Sequence, residues 1–307
     1  MFSRARPPDS IDRGFGRYHA RVADEPDPLC PCGCGFSCCL FVDVIGTRDQ
    51  PCYPAGKPGA TVAKIELRGA DIASTEDLEK AVVTGVDWAV RAGEFWVISG
   101  STWSGKSRLL ETAAGLTPPI RGEYLLFGQP LAKLPTDTAA ALRRRVGLVF
   151  PDGGRLFPRL TVAQNIGLPI CYHRECTLDA AAPRVAQLLA EMGLVTYANW
   201  SPMRLNRSYR QRIALARALA MEPVVLVLDT PFSGLDVGHF AGWLECLGAL
   251  LSGHPLLGGK QISVVVATDD VRPWRSVANR FATIKDSRWM LLDATSDTAP
   301  GGNPGFS

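Results

Sequence analysis

Apolar and polar positions divide this chain into stretches of different texture. Residues 1–60 hold no helical or strand period. Pro, Gly, Arg and Asp dominate there, which predicts an extension without a packed core. From Thr61 the pattern becomes that of a folded domain reaching to about 293. Lys64 to Arg68 alternates and predicts an edge strand; Val82 to Val90 predicts a second, ending at the turn Arg91-Ala-Gly-Glu94. Phe95 to Ser99 is a nearly unbroken apolar run, a buried strand, and Ser107 to Ala114 reads as a helix. Gly122 to Gly128 predicts a hairpin strand, Thr136 to Arg145 a helix, and Val146 to Phe150 another strand. Residues from about 152 to 222 read as mostly helical, with apolar stripes at i, i+3, i+4 spacing over Leu178–Met192 and Ser208–Met221. Val224 to Leu228 is a continuous apolar run closed by Asp229, the pattern of a central parallel strand covered on both faces. A helix over about 237–252, a strand over Ile262–Ala267 and a hairpin over about 281–293 complete an α/β pattern. Gly, Pro and Ser fill 294–307, which predicts a tail without fixed structure.

Between the first buried strand and its helix lies Gly100-Ser101-Thr102-Trp103-Ser104-Gly105-Lys106-Ser107, which fits the phosphate-loop pattern G-x-x-x-x-G-K-(S/T). The strand–loop–helix context matters. Backbone N–H groups of such a loop, with a helix N-terminus behind them, make a nest for phosphate oxygens. Lys106 would reach the outer phosphates, and the Ser107 hydroxyl would ligate Mg²⁺. Asp229 is the second landmark. A carboxylate at a strand end holds the Mg²⁺ shell beside the loop Ser in phosphate-loop proteins.

Composition narrows the partners. The chain has 307 residues, 46% hydrophobic and 21% charged, ample for a buried core of one large or two small domains. A net charge of +3 is too small to argue for nucleic acid. No apolar run reaches ~18 residues, so no membrane span is expected. Residues 1–28 are polar and Pro-rich, without the apolar centre of a signal peptide, and a cytosolic, reducing setting is expected. Cys30, Cys32, Cys34, Cys38, Cys39 and Cys52 sit in the extension, too crowded for the separated pairs of a zinc ribbon, with His19 alone nearby. An oxidation-prone tail is the favoured reading, and a thiolate metal site the alternative. Cys171, Cys176 and Cys246 read as ordinary thiols, Trp243 and Trp274 as packing residues, and Tyr209 as the cap of its helix. His173, His239 and His254 lack metal-ligand spacing.

The order of these motifs resembles the nucleotide-binding subunit of an ABC transporter over about residues 62–292. The matching segments are Gly93-Glu94 with the loop, Val149-Phe150, Leu156–Val162 with Asn165-Ile166, Arg210–Ala218, Leu228-Asp229, and the D-loop Ser233-Gly234-Leu235-Asp236. Asn165-Ile-Gly-Leu-Pro-Ile-Cys-Tyr-His173 further resembles the subunits that power Mce/Mla-type phospholipid or steroid transport. The resemblance implies a P-loop NTPase with a RecA-like parallel-sheet core, an antiparallel β subdomain and a helical subdomain inserted at about 152–222. It implies binding of ATP and Mg²⁺, with residues 100–108, Arg108 included, around the nucleotide and Ser107 with Asp229 on the metal. Its implied partners are a membrane permease and a second such subunit, in a homo- or heterodimer on the inner face of the membrane. In such a dimer each ATP lies between one subunit's phosphate loop and the other's signature sequence.

The departures from that family fall where chemistry is done. The catalytic Glu that follows the strand-end Asp is Thr230 here, and losing a general base costs about 10²–10⁴ in rate. The switch His after Thr268 is Asp269, expected to repel a γ-phosphate. The Gln after Val149-Phe150 is Pro151, which has neither side-chain amide nor N–H. The signature L-S-G-G-Q-x-Q-R is Leu205-Asn206-Arg207-Ser208-Tyr209-Arg210-Gln211-Arg212, without the two glycines that allow close approach to a phosphate. Trp103 stands for a Gly in the loop, Arg108 for a Thr, and no adenine-stacking aromatic is evident near Ile72–Thr75. Two expectations follow: an energy-coupling subunit of a lipid-type transporter, or a catalytically inactive module that assembles or regulates such a complex. A cassette acting on DNA or ribosomes is disfavoured by the single domain and weak charge.

Overall fold

The computed structural model describes residues 62–231 and 237–292, apart from the side chains of 152 and 237–241. The extension expected over 1–60, the D-loop Ser233–Asp236 and the tail expected over 294–307 lie outside the described residues.

Ten strands form a sheet in the order β5-β4-β1-β2-β10-β9-β3-β8-β7-β6. They run β1 Ile65–Ala73, β2 Ala81–Val90, β3 Phe95–Gly100, β4 Arg121–Leu126, β5 Gln129–Pro130, β6 Val146–Val149, β7 Val225–Asp229, β8 Ser263–Thr268, β9 Arg280–Lys285 and β10 Arg288–Leu292. One half is antiparallel: β1 pairs with β2 on one side and β4 on the other. The edge position expected for the first strand is therefore corrected. Alternation reports the two faces of a strand, whereas an edge is defined by unmade ladder bonds, on which side chains are silent.

The other half is parallel, with β9-β3, β3-β8, β8-β7 and β7-β6 all running the same way. Its apolar strands are covered on both faces. Phe95, Val97, Leu226, Leu228, Val264 and Val266 join one core cluster. Their neighbours Trp96, Ile98, Val225, Val227, Val265 and Ala267 join the other. β7 sits inside this half and is buried at every position, as its unbroken apolar run requires.

The helices follow local signals. They are α1 Lys106–Ala113, α2 Thr136–Arg143, α3 Val162–Arg174, α4 Leu178–Glu191, α5 Arg207–Leu219 and α6 Val237–Ser252. Thr161 begins α3 with a complete capping box to Gln164. Thr177 caps α4 through the amide of Ala180. Asn206 caps α5, its side chain accepting from the Tyr209 amide at 3.1 Å. This corrects the expectation that Tyr209 is the cap. A tyrosine hydroxyl lies too far from its own backbone for that role, and here the ring packs on Tyr197 at 4.7 Å instead. α3, α4 and α5 share the first core cluster and form the helical part expected at about 152–222. Trp243 and Trp274 are buried in the same cluster, as packing residues should be.

Candidate functional site

Register brings three strand ends together. Ser99 of β3 lies opposite Thr268 of β8, and Ala267 of β8 lies opposite Asp229 of β7. Ligands in parallel α/β sheets bind beyond such carboxyl ends. The loop Gly100–Gly105 leaves β3 at this point and enters α1 at Lys106.

Two glycines have no substitute in this loop. A Cβ on Gly100 would lie 2.5 Å from Ser104 Oγ and 3.1 Å from the Ile284 carbonyl oxygen. Gly105 has φ of +94°, and a Cβ there would meet Val83 Cγ2 at 2.7 Å. Between them, Trp103 takes a left-handed φ of 69° although it carries a side chain. Its ring is 94% exposed, so no packing offsets the strain.

Lys106 turns back into the loop. Its Nζ donates to the carbonyls of Gly100 and Ser101, both at 2.7 Å, and more weakly to Ser104 Oγ at 3.5 Å. It also pairs with Asp269 Oδ1 at 2.9 Å. That contact changes the expectation for Asp269. The carboxylate stands against the lysine that was to receive a phosphate. Ser107 lies beside the Asp229 carboxylate and favours its charged form. Asp229 is only 3% exposed, and its Oδ1 has no hydrogen-bond partner. Burial pushes the carboxyl above the usual range, with Ser107 and the nearby Lys106 charge acting against the shift.

This donor set fits Mg²⁺. A buried carboxylate oxygen with an unfilled acceptor site, beside a serine hydroxyl, matches a hard cation that takes one or two protein oxygens and fills the rest with water and phosphate. Among the described residues no cluster of three or more His, Cys, Asp or Glu could hold a metal.

The remaining site residues are placed as follows. Ser101, Thr102 and Ser104 lie in the loop, where the Ser104 amide donates to Ser101 O at 3.1 Å. Arg108 is directed elsewhere: its guanidinium donates to the Ala73 carbonyl at 3.1 Å and to Glu111 at 2.6 Å. Thr230 follows β7 with φ of 41° and donates its amide to Ala267 O at 3.0 Å. Pro151 opens a short 3-10 turn, Pro151–Gly153, after β6. Gly153 packs so closely on α5 that a Cβ would lie 2.5 Å from the Arg210 carbonyl carbon. Arg217 of α5 fastens the same turn through the carbonyls of Arg155 and Gly154 at 2.9 and 3.2 Å.

The signature positions Asn206–Tyr209 occupy the α5 N-terminus. Ser208 is buried there with its hydroxyl unpaired, as are both amide atoms of Gln211 one turn on. Tyr209 lies under Arg212, 5.7 Å from the ring centre, and its hydroxyl meets that of Tyr197 at 3.3 Å. The structure thus joins the loop, Asp229, Thr230 and Asp269 at the sheet's carboxyl edge, and sets Pro151 against the helix that carries the signature. The Asp269–Lys106 pair was not foreseen. The acidic residue after Thr268 was its only signal, and the β3–β8 register that delivers it is not written locally.

Known proteins share this arrangement. A family model described as ABC transporter matches residues 83–233. The chain is 34% identical over 216 residues to the glutamate/aspartate import ATP-binding protein GltL of Escherichia coli (strain K12), covering 70% of this chain and 86% of that protein. It is 33% identical over 225 residues to the methionine import ATP-binding protein MetN of Caulobacter vibrioides, covering 71% of this chain and 65% of that protein. Among solved structures, the dimeric post-hydrolysis state of the ATP-binding cassette MJ0796 bound to ADP and Pi superposes with a TM-score of 0.66 at 27% identity, over 76% of this chain and 99% of that one.

Proposed function

This chain belongs to the ABC transporter family, and we propose that it is an ATP-binding subunit that keeps the nucleotide cradle while hydrolysing slowly or not at all. One observation carries the reading: Lys106, Ser107 and the unpartnered Asp229 Oδ1 converge at the mouth of the loop. The loop amides and the α1 N-terminus bind the inner phosphates of ATP. Gly105 opens α1 without a side-chain cap, and no acidic residue occupies its first turn, so the amides there are directed at the ligand. Ser107 and Asp229 hold Mg²⁺, which when bound neutralises phosphate charge.

The residues that act on water support slow turnover. Thr230 offers a hydroxyl in place of a carboxylate base, Pro151 carries no amide, and Asp269 presents an acid in place of an imidazole. Read fully, these losses give a second form of the proposal: a pseudo-ATPase that occupies the cassette position and assembles or regulates the complex. In a dimer, the phosphate loop of one subunit would meet Asn206–Tyr209 of the next.

A permease is the proposed partner, placing the chain on the inner membrane face. No helix among the described residues is long and apolar enough to cross a membrane itself. A groove of about 420 Å³ beside α3 supports docking: Phe157, Pro169, Tyr172 and His173 line it with Arg144 and Arg217. Tyr172 is 77% exposed at its rim. The segment Asn165–His173, which carries the lipid-transport resemblance, lies on α3 and contributes this wall. We therefore favour a lipid-type substrate, although the matched relatives GltL and MetN are named for glutamate/aspartate and methionine import. Residues 1–60 and 294–307 are proposed as extensions outside the cassette.

The test is a nucleotide titration with and without Mg²⁺ beside a turnover assay, on the full chain and on Lys106→Ala. Mg²⁺-dependent binding lost in the variant supports the cradle. Absence of binding that Lys106→Ala leaves unchanged rejects it.

A further inference from the structure

Lys106 Nζ carries three protons and is crowded by four oxygens. Gly100 O, Ser101 O and Ser104 Oγ come from the loop, at 2.7, 2.7 and 3.5 Å. The fourth, Asp269 Oδ1 at 2.9 Å, comes from the end of β8. The two partners differ in exposure: the lysine side chain is 6% accessible and the aspartate 58%. Asp269 thus covers the ammonium from the solvent side, where an outer phosphate must arrive. Thr268 fixes the turn that follows. Its hydroxyl donates to Asp270 O at 3.0 Å and accepts from the Asp270 amide at 3.2 Å. Arg272 then holds the Asp270 carboxylate at 2.7 Å, so that acid is engaged elsewhere and, of the two, it is Asp269 that reaches the loop lysine.

We infer that Asp269 acts as an internal anion in the place of a terminal phosphate, making this site selective for a nucleoside diphosphate over a triphosphate. The inference rests on the nucleotide-binding reading above. A diphosphate uses the nest, Ser107 and the metal position, and meets Lys106 with its terminal phosphate. A triphosphate must in addition bring its γ-phosphate to the place where the Asp269 carboxylate stands. Unit charges at hydrogen-bond range repel by more than thermal energy near a protein surface. The exposure of Asp269 screens part of this, so discrimination of about tenfold is expected rather than thousandfold.

The full chain is titrated with ADP and with a non-hydrolysable ATP analogue, both with Mg²⁺, in the wild type, Asp269→Asn and Lys106→Ala. The wild type is expected to bind ADP about tenfold or more tighter than the analogue. Asp269→Asn, nearly isosteric and at a half-exposed side chain, is expected to bring the analogue within about threefold of ADP, tightening the analogue more than it tightens ADP. Equal affinities in the wild type, both lost in Lys106→Ala, overturn the selectivity and leave the nucleotide site standing. A preference for ADP that persists in Asp269→Asn overturns the role of this residue. Binding of neither ligand in any variant removes the site and the inference together.

Discussion

Asp229→Asn is expected to stabilise the nucleotide-free protein while abolishing its response to Mg²⁺-nucleotide. The wild-type carboxylate is 3% exposed, and the neighbouring Ser107 and the Lys106 charge compensate the lost hydration only in part. Oδ1 has no partner at all. An unsatisfied buried polar group costs about 1–3 kcal/mol, and more when charged. Lys106 offsets part of this, but its protons are shared among Gly100 O, Ser101 O and Asp269. An amide keeps the shape and removes the charge; one of its polar atoms still takes the unpartnered position, so the relief is of the charge alone. A gain of about 1–2 kcal/mol is therefore expected. For a domain of this size each kcal/mol moves Tm by about 2–4 °C, giving a rise of about 2–8 °C. The assay is thermal unfolding with and without Mg²⁺-ADP. Ligand at 100 times Kd adds about 2.7 kcal/mol to the wild type. The variant, lacking the anionic metal ligand, is expected to show little of this shift. A variant less stable than wild type without ligand would refute the reasoning, because it would mean that the carboxylate is satisfied in the folded state.

Trp103→Gly relieves a left-handed backbone that carries an exposed ring, and is expected to raise stability by about 1 kcal/mol, read as Tm. The larger freedom of Gly in the unfolded chain keeps the gain from being greater. Burial pushes the Cys246 thiol up to about 11, with Glu191 adding to the shift. Raised above its unfolded value, the group stays protonated in the folded chain through pH 8–9, where an unfolded cysteine begins to ionise. Peptide mapping after alkylation at pH 8.5 is expected to find Cys246 unmodified in the native protein and labelled in urea. Its contribution to stability is present below the unfolded value and fades as pH rises through about 11.

The sequence revealed what is encoded locally. The loop is eight consecutive residues, and its pattern is legible although the partners that crowd its glycines, Ile284 and Val83, are distant in sequence. Asp229 was legible because an apolar strand ended in an acid. The covered parallel sheet followed from runs such as Val225–Leu228, whose alternate residues enter opposite cores. What escaped depends on neighbours distant in sequence. β1 alternates like an edge strand but is paired on both sides, because ladder bonds come from the backbone. Asp269 reads as a lost histidine; that it lands on Lys106 is a consequence of the β3–β8 register. Arg108 looked like part of the cradle, but its long side chain reaches the Ala73 carbonyl and Glu111 instead. Asn206 is a favourable N-cap residue, and that signal was available in the sequence though overshadowed by the altered signature.

The claim on which the rest depends is that triphosphate handling has been separated here from triphosphate cleavage. Steady-state phosphate release from ATP, measured on the full chain beside Lys106→Ala and the double variant Thr230→Glu with Asp269→His, tests it directly. The expected result is release from the wild type as low as from Lys106→Ala, despite Mg²⁺-dependent nucleotide binding in the wild type alone, and a gain of about 10²-fold or more when the base and the imidazole are supplied. Brisk wild-type release that disappears in Lys106→Ala would contradict it.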